Sequence, residues 1–178
     1  VQTGREATNQ GLAKLSASYK PNFNNQLDYD IIGRLSSESE AQNVVSSVIG
    51  TTNQITEVKP FSINQNFNYY YTLDEKNIFA AQVQHLYQNE DPFYNAITEL
   101  LPFDGILPID EDQSLFDINQ NKIIKSHKLD AKIDHYYVLN NLSNLNFTLG
   151  STYSNQSFNS SIFQILDNGS QNFLNETD

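Results

Sequence analysis

The residues that could do chemistry are few and scattered. The three histidines are His85, His127 and His135. His85 and His135 could meet only if their strands lie close, and a long segment separates them. No metal site is expected from them. Within "PIDEDQSLFDINQNK", Asp117, Asn119 and Asn121 have the spacing that opens a calcium loop. The pattern then fails, with Lys122 where a glycine is needed and Lys128 where the bidentate glutamate belongs. A solvated acidic loop is the expectation. There is no GxSxG, HExxH, P-loop or dinucleotide-binding glycine motif. The chain contains no Cys, so thiolate chemistry is excluded. No catalytic residue, metal site or cofactor is expected, and the protein is not expected to be an enzyme.

One charged set does have a pattern. Asp28, Asp30 and Arg34 alternate along one segment, and Lys128, Asp130, Lys132 and Asp134 along another. All are at even positions. Such groups could pair across strands facing water, each pair contributing about 0.2–1 kcal/mol. They could equally form a polar wall against another part of the protein.

The elements that must position them follow a period of two, the signature of strands. Six strands are expected, near 12–19, 27–35, 61–73, 78–88, 128–139 and 144–154. In each, odd positions are mainly apolar and even positions mainly polar. "FSINQNFNYYYTL" is the clearest case, with Asn64, Asn66 and Asn68 on one face and Phe67, Tyr69 and Tyr71 on the other. The connections alternate as well. "KPNFNNQ", "DEKN" and "NNLS" read as tight turns, whereas 36–60, 88–127 and 155–178 read as long loops. Within the second of these, "DPFYNAITELLPF" could form a short helix opening on Pro92. Because odd faces flank every tight turn, paired residues must share parity. The tight loops should then hold an odd number of residues. A two-residue turn at Glu75–Lys76 would contradict the face assignment.

Composition narrows the class. The chain has 178 residues, a net charge of -11 and a pI near 4.5. Ten scattered Lys and Arg argue against nucleic acid as a partner. No apolar run is long enough for a transmembrane helix, and no leader is read at the N-terminus. The first residue is Val1 and not Met, which leads us to expect a fragment or a processed chain. Asn-X-Ser/Thr triplets at Asn141, Asn146, Asn155, Asn159, Asn168 and Asn175 are read as chance in so Asn-rich a sequence.

Short–long alternation of connections is the connectivity of outer-membrane barrels. The aromatics agree. Tyr19, Tyr29, Tyr69, Tyr71, Phe79, Tyr137 and Phe147 all lie on the apolar face beside a tight turn. They would form a belt at the inner membrane interface, where a ring is buried and a hydroxyl stays wet. Tyr87 and Tyr153 would belong to the outer belt. Asp28, Asp30, Arg34, Asn64, Asn66, Asn68, Asp130, Lys132 and Asp134 would face the lumen or a plug. Gln65, His85, His135 and Ser151 fit the lipid-facing side poorly. A soluble β-sandwich is the main alternative. It requires neither the loop alternation nor the gathering of aromatics at one end of each hairpin.

The passages "LSASYKPNFNNQLDYDIIGRLS", "NQNFNYYYTLDEKNIFAAQVQHLYQNEDPFYNAI" and "KLDAKIDHYYVLNNLSNLNFTLGSTYSNQSFNSSIFQILDNGS" resemble the barrel region of TonB-dependent outer-membrane receptors, in the Asn- and Tyr-rich form found in Bacteroidota. The resemblance implies an all-β, antiparallel up-and-down transmembrane barrel of 22 strands, of which residues 1–178 would supply about six. It implies import of a scarce or bulky ligand across the cell outer membrane. Its partners would be outer-membrane lipid, the chain's own plug domain and remaining barrel strands, the TonB system and a surface lipoprotein lid. Neither a plug nor a TonB box is recognised here, so no family site residue is carried over. Two other readings stay open: a soluble β-rich surface or adhesion domain, and a structural outer-membrane subunit of a secretion or surface-protein assembly.

Overall fold

The structure is a computed structural model and describes residues 1–47, 50–103 and 106–174. All its strands belong to one antiparallel sheet, and no helix occurs among the described residues. The strands are β1 (Gln2–Asn22), β2 (Asn25–Ser46), β3 (Gly50–Val58), β4 (Phe61–Thr72), β5 (Asn77–Glu90), β6 (Phe93–Thr98), β7 (Phe116–Asn140), β8 (Ser143–Ile165) and β9 (Gln171–Phe173).

Nine strands reduce to a simpler plan. Leu35 faces Phe61 and Glu38 faces Val58 in one unbroken register, so β3 and β4 form a single line along β2. Glu90 faces Ile124 and Phe93 faces Asn121, so β5 and β6 form a single line along β7. The sheet is therefore a meander of six long strands, with β9 starting a seventh beside β8. It is open, because β1 pairs only with β2 and not with β8.

The interruptions are Lys59–Pro60 and Asp91–Pro92. They fall side by side, since Glu57 faces Phe93 on one side of the gap and Phe61 faces Asn89 on the other. Proline has no N–H to give to the ladder. The surrounding bonds adapt. The Pro60 carbonyl accepts from Ser36 N at 3.0 Å, and the Pro92 carbonyl accepts from Lys122 N at 3.0 Å. Lys59 N donates to the Asp91 carboxylate at 3.2 Å.

Five of the six expected strands fall within an observed one and the sixth, 61–73, overshoots β4 by Leu73; β1, β2, β7 and β8 run far beyond the expected ends. The segments 36–60, 88–127 and 155–178 are not simply long loops: β3, β6 and parts of β2, β5, β7 and β8 occupy most of their described residues. The helix expected after Asp91 is strand β6, because its six residues continue the β5 line between β3 and β7. Among the described residues, 99–115 is the one long connection.

Apart from Asn22 with Asn25 and Asn140 with Ser143 at the turns, every ladder pairs residues of like parity, as the face assignment requires. The turn at "DEKN" has five residues, Leu73 to Asn77, between the paired Thr72 and Ile78. The odd count fails at the other two turns. Phe23–Asn24 and Asn141–Leu142 are two-residue connections, and a register shift just inside each restores parity. The three turns share one device, in which a side-chain oxygen caps the N–H two residues on. Asn22 Oδ1 accepts from Asn24 N at 3.0 Å, Asp74 Oδ1 from Lys76 N at 2.8 Å, and Asn140 Oδ1 from Leu142 N at 2.9 Å.

Candidate functional site: two faces of one sheet

Between the turns and the row that borders the proline breaks, the two faces differ in charge; in that bordering row Lys125, opposite Asn89, puts a charge on the odd face. Across residues 13–19, 25–35, 61–72, 77–87, 127–137 and 145–155, eight side chains are charged: Lys14, Asp28, Asp30, Arg34, Lys128, Asp130, Lys132 and Asp134. All eight are on the even face. The odd face of the same spans carries none. Among the described residues no second sheet packs on the odd face. Leu149 is 77% exposed, Leu15 66%, Phe147 61% and Ile133 56%.

The seven expected belt aromatics gather in adjacent rows beside the turns. Tyr71 faces Phe79, Phe79 faces His135, and His135 faces Phe147, giving one aromatic row across four strands. His135 stacks on Phe79 with centroids 4.4 Å apart and planes at 7°. Tyr69 and Tyr19 both border Leu27 one row further from the turns, and Tyr29 faces Phe67 in the next row. Tyr137 faces Asn77 and Leu145 on the turn side.

The poorly fitting polar residues of this face are satisfied sideways. The Tyr29 hydroxyl donates to Gln65 Oε1 at 2.8 Å, and the Gln65 amide lies 3.3 Å from His85 Nδ1. His135 Nε2 lies 3.0 Å from Asn77 Oδ1. The Tyr69 hydroxyl donates to Asn25 Oδ1 at 2.5 Å. His85 does not approach His135. It lies instead near His127, with ring centroids 5.9 Å apart.

On the even face, the aspartates are held by hydroxyls on the neighbouring strand. Ser16 donates to Asp30 at 2.5 Å and Ser18 to Asp28 at 2.6 Å. Thr148 donates to Asp134 at 2.5 Å and Thr152 to Asp130 at 2.6 Å. The outer hairpins β1–β2 and β7–β8 thus carry matching carboxylate–hydroxyl pairs. The expectation of cross-strand ion pairs needs correction. Lys14–Asp30, at 3.3 Å, does cross strands, but Lys128–Asp130 at 3.1 Å and Lys132–Asp134 at 3.5 Å run along β7. The reason is the register, which sets Thr and Ser, not Lys, opposite the aspartates. Arg34 faces Ser62 and makes no ion pair among the described residues.

The amide row of β4 lies between these two carboxylate ladders. Asn68 faces Asp28 and Asn66 faces Asp30, and the Gln84 amide reaches Asn64 Oδ1 at 3.4 Å. Asn66, Asn68, Gln82, Gln84, Asp130 and Lys132 border a hollow of about 400 Å³. Asp134 is the most enclosed of the charged groups, 2% exposed.

Asp117, Asn119 and Asn121 do not form a cation loop. They lie in β7, where the Asn95 amide donates to Asp117 at 2.6 Å and to Asn119 at 2.9 Å. Among the described residues no cluster of three or more metal-ligating side chains occurs.

Beyond the proline breaks the faces change character. The odd-face row there reads Asn9, Ser37, Lys59, Asp91, Ile123 and Asn159, with one apolar member. The even face of β6–β8 becomes apolar, with Ala96, Ile118 and Phe116 under the 99–115 connection. A buried amide pins that connection: Gln164 is 0% exposed, its Nε2 donates to the Asp110 carbonyl at 2.9 Å, and its Oε1 accepts from Asp110 N at 2.9 Å. Neither this clamp nor the apolar patch was anticipated from sequence. The visible signal was the run "LLPF", apolar residues inside an otherwise acidic connection.

No protein-family model matches the chain, and no curated protein matches it in sequence.

Proposed function

We propose that this chain is an arc of an outer-membrane transport barrel of the TonB-dependent receptor type, embedded in lipid by its odd face. The observation that carries the membrane half is the segregation of the eight charges of these spans onto one face of a single open sheet, Lys125 entering the odd face only in the row that borders the breaks. In water, an uncovered odd face would cost about 1.5–3 kcal/mol per large side chain relative to burial. In hydrocarbon the same face is favoured, and a charge there would be costly. The dimensions agree. Ile63 to Leu73 spans ~33 Å along the strand at about 3.3 Å per residue, or ~25 Å when tilted by about 40°, the height of a barrel's apolar band. The sideways bonds of Gln65, His85 and His135 suit a surface where water offers none. The even face, with its hydroxyl-bonded aspartates and its hollow, suits a wet lumen or the surface of a plug.

Six strands do not close a bacterial barrel, and open edges are not tolerated in hydrocarbon. The free edges of β1 and β8 therefore need further strands. β9 already begins another one against β8. Import of a ligand, coupling to the TonB system and a lipoprotein lid rest on the resemblance in strand, turn and loop style.

The test is fractionation of cells making the full-length gene product, followed by gel mobility with and without boiling. The expected result is outer-membrane protein resistant to carbonate extraction, with heat-modifiable mobility. A stable monomer in detergent-free buffer would overturn the membrane half. A full-length sequence lacking an upstream plug would overturn the receptor half and leave a structural outer-membrane subunit.

A further inference from the structure

Of the hollows in the molecule, one is chemically unlike the rest. It lies beyond the proline breaks, on the even face, between β6–β7 and the start of the 99–115 connection, and holds about 350 Å³. Ala96 and Ile118 form its floor, Tyr94 one side, and Leu100, Pro102 and Phe103 its outer rim. Ile118 is 4% exposed, whereas Leu100 and Phe103 are each about half exposed (51% and 54%). The floor is thus built into the sheet and the rim is open. Phe103 has φ 54°, a left-handed conformation unusual for a residue with a side chain. Such conformations persist where surrounding structure holds them and gather at ligand clamps.

No described lining residue is charged. Glu99, which precedes the rim residue Leu100, is engaged, its Oε2 accepting from Thr51 N at 3.0 Å. The polar groups present are neutral. Thr52 and Thr98 bond each other across strands at 3.3 Å. The Tyr94 hydroxyl and the Gln54 amide have no hydrogen-bond partner among the described residues. Burial raises the Tyr94 ionisation above the ordinary phenol range, so the hydroxyl stays a neutral donor. An apolar cavity with a few convergent neutral polar groups is the usual form of a small-molecule site. A charged ligand group would be desolvated there without a partner, at high cost.

We infer that this cavity binds the uncharged aromatic or branched-aliphatic end of a small molecule, with Tyr94 and Gln54 bonding a neutral polar group on it. Under the barrel reading, on which its transport role rests, the cavity is at the end of the lumen away from the tight turns. It would hold an incoming ligand before passage.

The probe is 4-fluorobenzyl alcohol, followed by its fluorine NMR line with the full-length protein in amphipol. Titration should broaden the line saturably. Ala96→Trp, which fills the floor, should weaken binding about tenfold, a change of about 1.4 kcal/mol. Tyr94→Phe should weaken it about fivefold, the effect of one neutral hydrogen bond. Leu100→Asp, on the exposed rim, should also weaken it and keeps the test open if Ala96→Trp fails to fold. The carboxylate analogue, 4-fluorobenzoate, should not bind saturably. Equal broadening by wild type, Ala96→Trp and Leu100→Asp would overturn the inference, as would no saturable broadening in wild type, which would mean that another part of the chain fills the cavity. If the protein proves soluble without amphipol, the barrel reading fails, yet the same variants in buffer still decide the cavity.

Discussion

One sheet carries two chemistries, divided at the level of Pro60 and Pro92. On the turn side, the odd face is mainly apolar and carries no strand charge until Lys125 in the row that borders the breaks, and the even face holds the other strand charges. Beyond the prolines, charges appear on the odd face at Glu57, Lys59 and Asp91, and the even face of β6–β8 turns apolar under the 99–115 connection. Backbone register does not change across the boundary. Under the proposed barrel reading, the difference reflects the medium each half meets. A soluble sheet has one wet face throughout its length. A strand leaving a membrane would exchange its outer coat from apolar to polar at a fixed height, and here the change falls on adjacent strands at once.

The comparison is broken most directly by moving a charge. Val83, in the middle of the turn-side odd face, should tolerate arginine poorly. Val83→Arg is expected to lower the stability of the full-length protein in lipid vesicles by ~2–4 kcal/mol. Ile123→Arg, on the same face beyond the prolines, should cost about 0–1 kcal/mol. Urea titration of the vesicle-inserted protein measures both. Equal costs at the two positions would mean that the boundary is not an interface between media.

The even face can be probed by paired hydroxyl deletions. Thr148→Val removes the donor to the enclosed Asp134 at 2.5 Å. A hydrogen bond to a charged group contributes about 1.5–3 kcal/mol, and a loss of that size is expected by the same titration. Thr152→Val removes the equivalent donor to Asp130, which water can reach, so its loss should be clearly smaller. A larger effect at Thr152 would show that the hollow beside Asp130 is dry in the full protein.

The aromatic row gives a third contrast. A double-mutant cycle between Phe79 and His135, stacked at 4.4 Å, should yield a coupling of about 0.5–1.5 kcal/mol. A cycle between His85 and His127, 5.9 Å apart, should yield less, because that pair lies further apart and nearer the boundary.

How much of this was legible in sequence follows the same boundary. On the turn side, strict alternation made the strands, faces, turns and ladder parity readable. Past Leu35, "SSESEAQ" is polar on both faces, and the period-two signal vanishes although the strand continues. Strand persistence there is dictated by neighbours, which single-sequence periodicity does not contain. "DPFYNAIT" shows the reverse error. Its proline and apolar spacing fit a helix locally, but the β5 line fixes it as strand between β3 and β7. The carboxylate–hydroxyl pairs needed only the register to be found, since Ser16 and Ser18 sit opposite Asp30 and Asp28. The apolar cavity needed more, because its rim comes from a connection whose path no periodicity reports.

The smallest expected effect compares the three tight turns with one another. All three use a side-chain oxygen as cap, but Asn22 and Asn140 are neutral and Asp74 titrates. The Asp74 carboxyl is held below its usual value of 3.8, first by the Lys76 backbone N–H and then by the Asn77 side chain. A carboxylate whose folded pKa is depressed adds stability that is fully present above the unfolded value. That stability is lost as pH falls through the folded value. The window therefore opens near pH 4 and extends downward, and nothing at neutral pH should change. Asp74→Asn keeps the cap geometry and removes the titration, so its stability should fall less steeply on acidification than that of wild type. Asn22→Asp should add a similar acid-sensitive step at the first turn. Unfolding midpoints measured from pH 6 to pH 2 would show both. Parallel curves for wild type and Asp74→Asn would mean that water, not the carboxylate, caps the central turn, and would leave the three turns alike only in sequence.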